Sequence, residues 1–110
     1  MTNGNTILIE TFGNSPVIRI IDFFIDNPVF DYSKEDMIRE LGMSKITFYK
    51  YFKTLEETGM VKTTRKVGKA KLYKLDENNP AVIKLKELVW TLGVEAMQKA
   101  VEKQKIPVSA

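Results

Sequence analysis

Apolar residues recur at helical spacing in four parts of the chain. Val17, Ile20, Ile21 and Phe24 follow Ser15-Pro16, a serine N-cap with proline at the first helical position, and Asn27-Pro28 stops the run. Met37, Ile38 and Leu41 form the stripe of a second helix. Ser33 opens it, Asp36 makes a weak capping box three residues on, and Gly42 sits where a left-handed C-terminal residue is wanted. Ser44 caps a third helix after a tight turn, and Gly59 ends it just past Thr58. Asn79-Pro80 opens a last helix that runs to about Gln104, and Pro107 ends regular structure.

Between the third and last helices the period changes. Met60–Thr64 and Leu72–Leu75 read as strands, joined by the basic hairpin tip Arg65–Lys71 with Gly68 at the bend. Phe30–Tyr32 is long enough only for a very short strand. Thr6–Phe12 carries Ile7, Leu8, Ile9 and Phe12, a short apolar run that helix and strand fit equally. Residues 1–5 are polar and expected to fray. The second and third helices, joined through Gly42, make a helix-turn-helix pattern.

The chain's 110 residues suit one domain with a core of its own. It contains neither Cys nor His. Disulfides, thiol nucleophiles and His-based triads are therefore excluded, and a zinc site would rest on carboxylates alone. No phosphate-binding glycine loop occurs, so an enzyme is the least expected class, and neither cofactor nor metal is expected. No apolar run is long enough to span a bilayer, and the N-terminus lacks a signal-peptide pattern, so a cytoplasmic location is expected.

The net charge of +3 changes meaning once divided along the chain. Residues 1–44 carry a net −4, residues 45–75 a net +7 and residues 76–110 a net zero. No acid lies between Thr58 and Leu75. Such a block is the footprint of a polyanion-binding surface, although a charge run can also be a merely solvated face.

Sorted at about 100° per residue, Phe48, Phe52 and Leu55 share the core side of the third helix. Ile46, Tyr49, Lys50 and Lys53 cluster opposite, while Ser44, Lys45 and Thr47 crowd its N-terminal end. These seven are the candidate recognition set. The lysines suit phosphates or guanine acceptors, the hydroxyls suit phosphate or base, and Ile46 suits a thymine methyl. The competing reading packs Tyr49 beside the hairpin and leaves the lysines solvated. Arg65, Lys66, Lys69 and Lys71 form a second candidate set, suited to phosphate or minor-groove contact. Lys62 and Lys74 fit a gatekeeper role on strand edges equally well.

The runs Tyr32–Ser44 and Phe48–Val61, with their Leu41-Gly42-Met43-Ser44 turn and Leu55-Glu56-Glu57-Thr58-Gly59-Met60-Val61 exit, resemble the winged helix-turn-helix family, closest to small archaeal-type transcription regulators. Val67–Leu75 is similar to a wing of that type. The resemblance covers about residues 15–90 and departs at Phe52, where leucine is usual. It implies an α+β, mainly α fold: a three-helix core plus a β-hairpin wing, with a long C-terminal helix. It places the recognition surface at residues 44–53 and the wing at residues 65–71. The expected organisation is an N-terminal arm (1–14), the winged domain (15–78), a C-terminal dimerisation helix (79–105) and a tail (106–110).

The last helix is longer than a globule of this size requires. Val82, Leu85, Val89, Leu92 and Ala96 follow a 3-4 spacing, and Leu88, Trp90, Met97 and Val101 add apolar surface beside it. Val82, Ile83 and Leu85 are expected to pack inward. Leu88, Val89, Leu92, Ala96, Met97 and Val101 are the candidate homodimer interface, with Trp90 as an anchor. The leading expectation is a homodimeric, sequence-specific regulator of transcription on double-stranded DNA, with no membrane partner. The alternatives are an architectural or partition-type DNA binder with little sequence preference, and a winged-helix protein–protein adaptor.

Overall fold

Side-chain caps account for where the helices begin. The computed structural model describes residues 5–104; the expected frayed start over residues 1–4, the stop at Pro107 and the tail lie outside the described residues. Five helices and one hairpin follow in the order α1 (Ile7–Phe12), α2 (Pro16–Asp26), α3 (Lys34–Leu41), α4 (Lys45–Glu57), β1 (Val61–Val67), β2 (Ala70–Leu75) and α5 (Pro80–Gln104). This is the winged helix-turn-helix arrangement, with a long helix appended.

Ser15, Ser33 and Ser44 each accept a backbone N–H of the helix they open. The Ser33 cap is a complete box, because the Asp36 carboxylate also accepts the Ser33 N–H at 3.2 Å. Asn79 performs two tasks. Its Oδ1 accepts the N–H groups of Ala81 and Val82, and its Nδ2 donates to the Gly59 carbonyl at 2.9 Å. The start of α5 is thereby pinned to the end of α4. Gly42, at φ 60°, ends α3 in the left-handed region and lets the chain turn directly into α4.

The ambiguous segment Thr6–Phe12 is helical, with Thr6 as its N-cap. Leu8 is fully buried in the main core, so the arm is part of the same packing unit as the winged domain. The Thr6 hydroxyl donates to the Asp22 carboxylate, tying α1 to α2. Burial raises the Asp22 carboxyl above its ordinary value, the Thr6 hydrogen bond opposes that, and Asp26 adds to it.

Phe48 and Phe52 stack at 5.1 Å in the core, and Tyr73 of β2 meets Phe52 edge-on at 5.0 Å. Phe24 of α2 closes the cluster at 6.5 Å from Phe52. The larger ring at position 52 is therefore filled on three sides by aromatic neighbours and is wholly buried. Met37, Met43, Ile20, Leu55 and Val82 complete the same core.

The hairpin departs from the sequence expectation. Val67 pairs with Ala70, so Gly68 and Lys69 alone form the turn. Arg65 and Lys66 lie on β1 and Lys71 on β2, within the ladder rather than in a loop. Only Val61 of β1 is buried, so the strand carries almost no apolar alternation to betray its length. Its register shifts between Thr63 and Arg65, which makes Thr64 the extra residue of a bulge. Tyr32 adds a single bridge to β2, exchanging two backbone hydrogen bonds with Tyr73; Phe30 and Asp31 are not strand.

α5 packs on α1. Val82 is wholly buried, and Leu85 and Val89 lie against the core. Ile83 does not pack inward with them as expected: about 100° round the helix from Val82, it is 42% exposed. Beyond Val94 every described residue of α5 is exposed. No described helix is long and apolar enough to cross a membrane.

Candidate nucleic-acid interface

The two faces of α4 separate as their spacing requires. Phe48, Phe52 and Leu55 are buried, whereas Lys45, Ile46, Tyr49, Lys50 and Lys53 are exposed. Thr47 is half-buried. Its N–H donates to the Ser44 hydroxyl, which itself donates to Thr47 Oγ1 at 2.9 Å. Ser44 is thus spent on the cap, while the Thr47 hydroxyl keeps its proton for an outside acceptor.

One cation of this face lies outside the expected set. Lys34, the first residue of α3, places its ammonium 5.2 Å from the ring centres of both Tyr49 and Phe52 and 5.6 Å from that of Tyr73. It also pairs with Glu56 at 3.6 Å. Lys34 therefore joins α3, α4 and the wing at one point. It stands in the acidic third of the sequence, and no local pattern marks it. A shallow groove of about 260 Å³ runs from Lys34 and Glu35 to Lys69, Lys71 and Tyr73, between helix and wing.

The structure also brings an acid to the wing. Asp31, 34 residues before Arg65, accepts Nε at 3.0 Å and Nη2 at 3.2 Å from its guanidinium. The Thr64 hydroxyl at the bulge donates to the same carboxylate at 2.5 Å. Arg65, then Thr64, hold the Asp31 carboxyl down to about 2, and Arg65 is raised in turn. Arg65 is the one cation of its set with an acidic partner. Lys66, Lys69 and Lys71 form no ion pair with any described residue.

The ladder places like charges face to face. Lys66 is opposite Lys71, and Lys62 is opposite Lys74. Directly opposed like charges destabilise a strand pair. The two pairs lie on opposite faces of the hairpin, because Lys71 and Lys74 are three residues apart on β2: Lys66 and Lys71 share the face of Tyr73, while Lys74 on the other face donates to the Val29 carbonyl at 3.5 Å. Lys34, against both Tyr49 and Tyr73, connects α4 to the hairpin face that carries Lys66 and Lys71, and Asp31 holds Arg65 on β1.

Among the described residues no cluster of His, Cys or carboxylates could hold a metal ion.

The candidate interface residues on α5 differ among themselves. Met97 is 69% exposed and Val101 54%. Leu88 and Ala96 are exposed, Leu92 is half-buried, and Val89 packs largely on the chain's own core. Trp90 stands 74% exposed beside them.

No protein-family model and no curated protein sequence matches the chain at a significant level. Solved structures do share its fold. MepR, a transcription regulator of the Staphylococcus aureus multidrug efflux pump MepA, superposes with a TM-score of 0.66 at 15% identity over 89% of this chain and 70% of that one. Rv0081 of M. tuberculosis gives 0.57 at 18% identity, over 86% and 89% of the two chains. A possible transcriptional regulator from Methanosarcina mazei Go1 gives 0.54 at 10% identity, over 91% and 87%. At these identities the likeness is one of fold.

Proposed function

We propose that the chain is a DNA-binding transcriptional regulator that acts in the cytoplasm as a homodimer, without a catalytic step. α4 enters the major groove with Lys45, Ile46, Thr47, Tyr49, Lys50 and Lys53, and the wing lays Lys66, Lys69 and Lys71 on phosphates or in the minor groove. The observation that carries this is the opposed Lys66–Lys71 pair of the wing, on the hairpin face that Lys34 connects to the helix exposing Lys45, Lys50 and Lys53. A polyanion relieves the repulsion that the hairpin otherwise bears. Arg65 keeps guanidinium N–H groups for a phosphate, but Asp31 already offsets its charge. MepR, named a transcription regulator, and the Methanosarcina mazei protein, named a possible one, support the same reading. They include both bacterial and archaeal proteins, so an archaeal-type affinity rests on the sequence motifs alone.

Dimerisation is assigned to the outer half of α5, through Leu88, Leu92, Ala96, Met97 and Val101, with Trp90 at its edge and Val89 at its inner margin. A two-fold dimer presents two α4 helices and prefers a pseudo-palindrome with half-sites about 34–36 Å apart, or a multiple of that.

The decisive experiment is selection of bound duplexes from random DNA at two salt concentrations, with light scattering on the complex. The expected result is a pseudo-palindromic motif, steep salt dependence and two chains per site. Binding without a motif would make this an architectural binder. No retention at low salt would end the DNA reading and favour an adaptor.

A further inference from the structure

We infer that Ile46 reads the 5-methyl group of a pyrimidine in the major groove, so that the preferred half-site carries thymine or 5-methylcytosine at one position. This deepens the DNA-binding reading and rests on it. Ile46 is 84% exposed, the highest value among the large apolar residues described. It sits in the first turn of α4, the part of such a helix that reaches base edges. Its neighbours on the helix surface are Lys45, Thr47, Lys50 and the 37% exposed Tyr49, a rim of cations and hydroxyls rather than an aliphatic patch for a protein to cover.

The other groups of that turn have less to discriminate with. The Ser44 hydroxyl is engaged by Thr47. The Lys45 ammonium lies 5.6 Å over the Tyr49 ring, and that of Lys50 lies 5.4 Å over Tyr51. α4 contains no Arg, Asn or Gln, so donation to guanine acceptors falls to its lysines, flexible point charges without a fixed fork, and no side chain of α4 matches the donor–acceptor pair of adenine. An apolar group has one complement in the major groove, the methyl on C5 of a pyrimidine. Isoleucine neither donates nor accepts, so it does not distinguish the thymine O4 from the amino group of methylated cytosine. Duplex RNA lacks that methyl, and its major groove is too narrow for side chains, so the same residue favours DNA.

The test uses a duplex recovered by selection. Each pyrimidine of one half-site is made in four forms: thymine, uracil, cytosine and 5-methylcytosine. At one position thymine and 5-methylcytosine should bind alike, and uracil and cytosine about fourfold more weakly, which is about 0.8 kcal/mol for one buried methyl. Ile46→Ala should erase that difference while the salt dependence of binding is unchanged, and the exposed position leaves the fold intact. Equal binding of thymine and uracil at every position would overturn methyl reading and leave DNA binding standing. A difference that persists in Ile46→Ala would overturn the assignment to this residue. Failure to retain any duplex at low salt is a separate result: it removes the DNA-binding reading and this inference with it.

Discussion

α4 and the outer half of α5 both hold large apolar side chains in water, in opposite electrical surroundings. Around Ile46 and Tyr49 the charges are Lys45, Lys50 and Lys53, and the acids of α4 wait until Glu56 and Glu57. Around Met97 and Val101 the charges alternate in sign: Glu95, Lys99, Glu102 and Lys103. A balanced rim suits another protein surface, where apolar area is covered and charges pair across the edge. An uncompensated rim repels a second copy of itself and attracts a polyanion. Exposure alone does not say what covers a side chain; the sign of its neighbours does.

That contrast can be broken from either side. Leu92→Glu with Met97→Glu should give monomers by light scattering, because four carboxylates would be buried in a two-fold contact. An unaltered mass would deny α5 its part. On α4 the buried face should fail first. Phe52→Ala should cost about 3–5 kcal/mol in denaturant unfolding, and a loss under about 1 kcal/mol would contradict the aromatic core described here. Lys50→Ala with Lys53→Ala on the outer face should leave stability within about 0.5 kcal/mol. The same pair should lower the slope of log affinity against log salt by about two. An unchanged slope would remove both lysines from the interface.

The wing sharpens the comparison, because there stability and binding should move in opposite directions. Lys66→Glu places an acid opposite Lys71, so the hairpin should gain about 0.2–1 kcal/mol while DNA affinity falls. If both fall, the opposed lysines are not a sacrifice made for a ligand. The smallest effect is titrational. Asp31 has its folded value depressed from 3.8 to about 2, so its support of the wing is complete above 3.8 and is lost as pH falls through about 2. Carbon-detected titration of Asp31 should find that midpoint, and Arg65→Met should return it toward 3.8; a wild-type midpoint near 3.8 would dissolve the Asp31–Arg65 pair in solution.

What the chain displays in its sequence is what short-range chemistry controls. Ser15, Ser33, Ser44 and Asn79 cap helices through partners two or three residues away, and Gly42 and Gly59 end them by positive φ. These needed no knowledge of the rest of the molecule. The hairpin was legible in position and not in length, because ladder hydrogen bonds extend β1 past its last buried residue. Thr6–Phe12 was undecided because Ile7, Leu8 and Ile9 carry no period of their own. Its helix is settled by the Thr6 cap and by packing on α2 and α5. In the candidate interface, the exposed residues of α4 were visible in the helical wheel. The Lys34 contacts and the Asp31–Arg65 pair were not, since each joins elements that only the tertiary fold brings together.

Trp90 is the chain's only tryptophan, and it stands mostly in water on α5, an element separate from the candidate DNA-contacting residues of α4 and the wing. Its indole is therefore a native optical probe of the proposed assembly. In the homodimer proposed above, emission should shift to shorter wavelength as protein concentration rises, and should not change when duplex is added at a concentration where association is complete. Association and ligand occupancy become separable by colour, without a dye or a label.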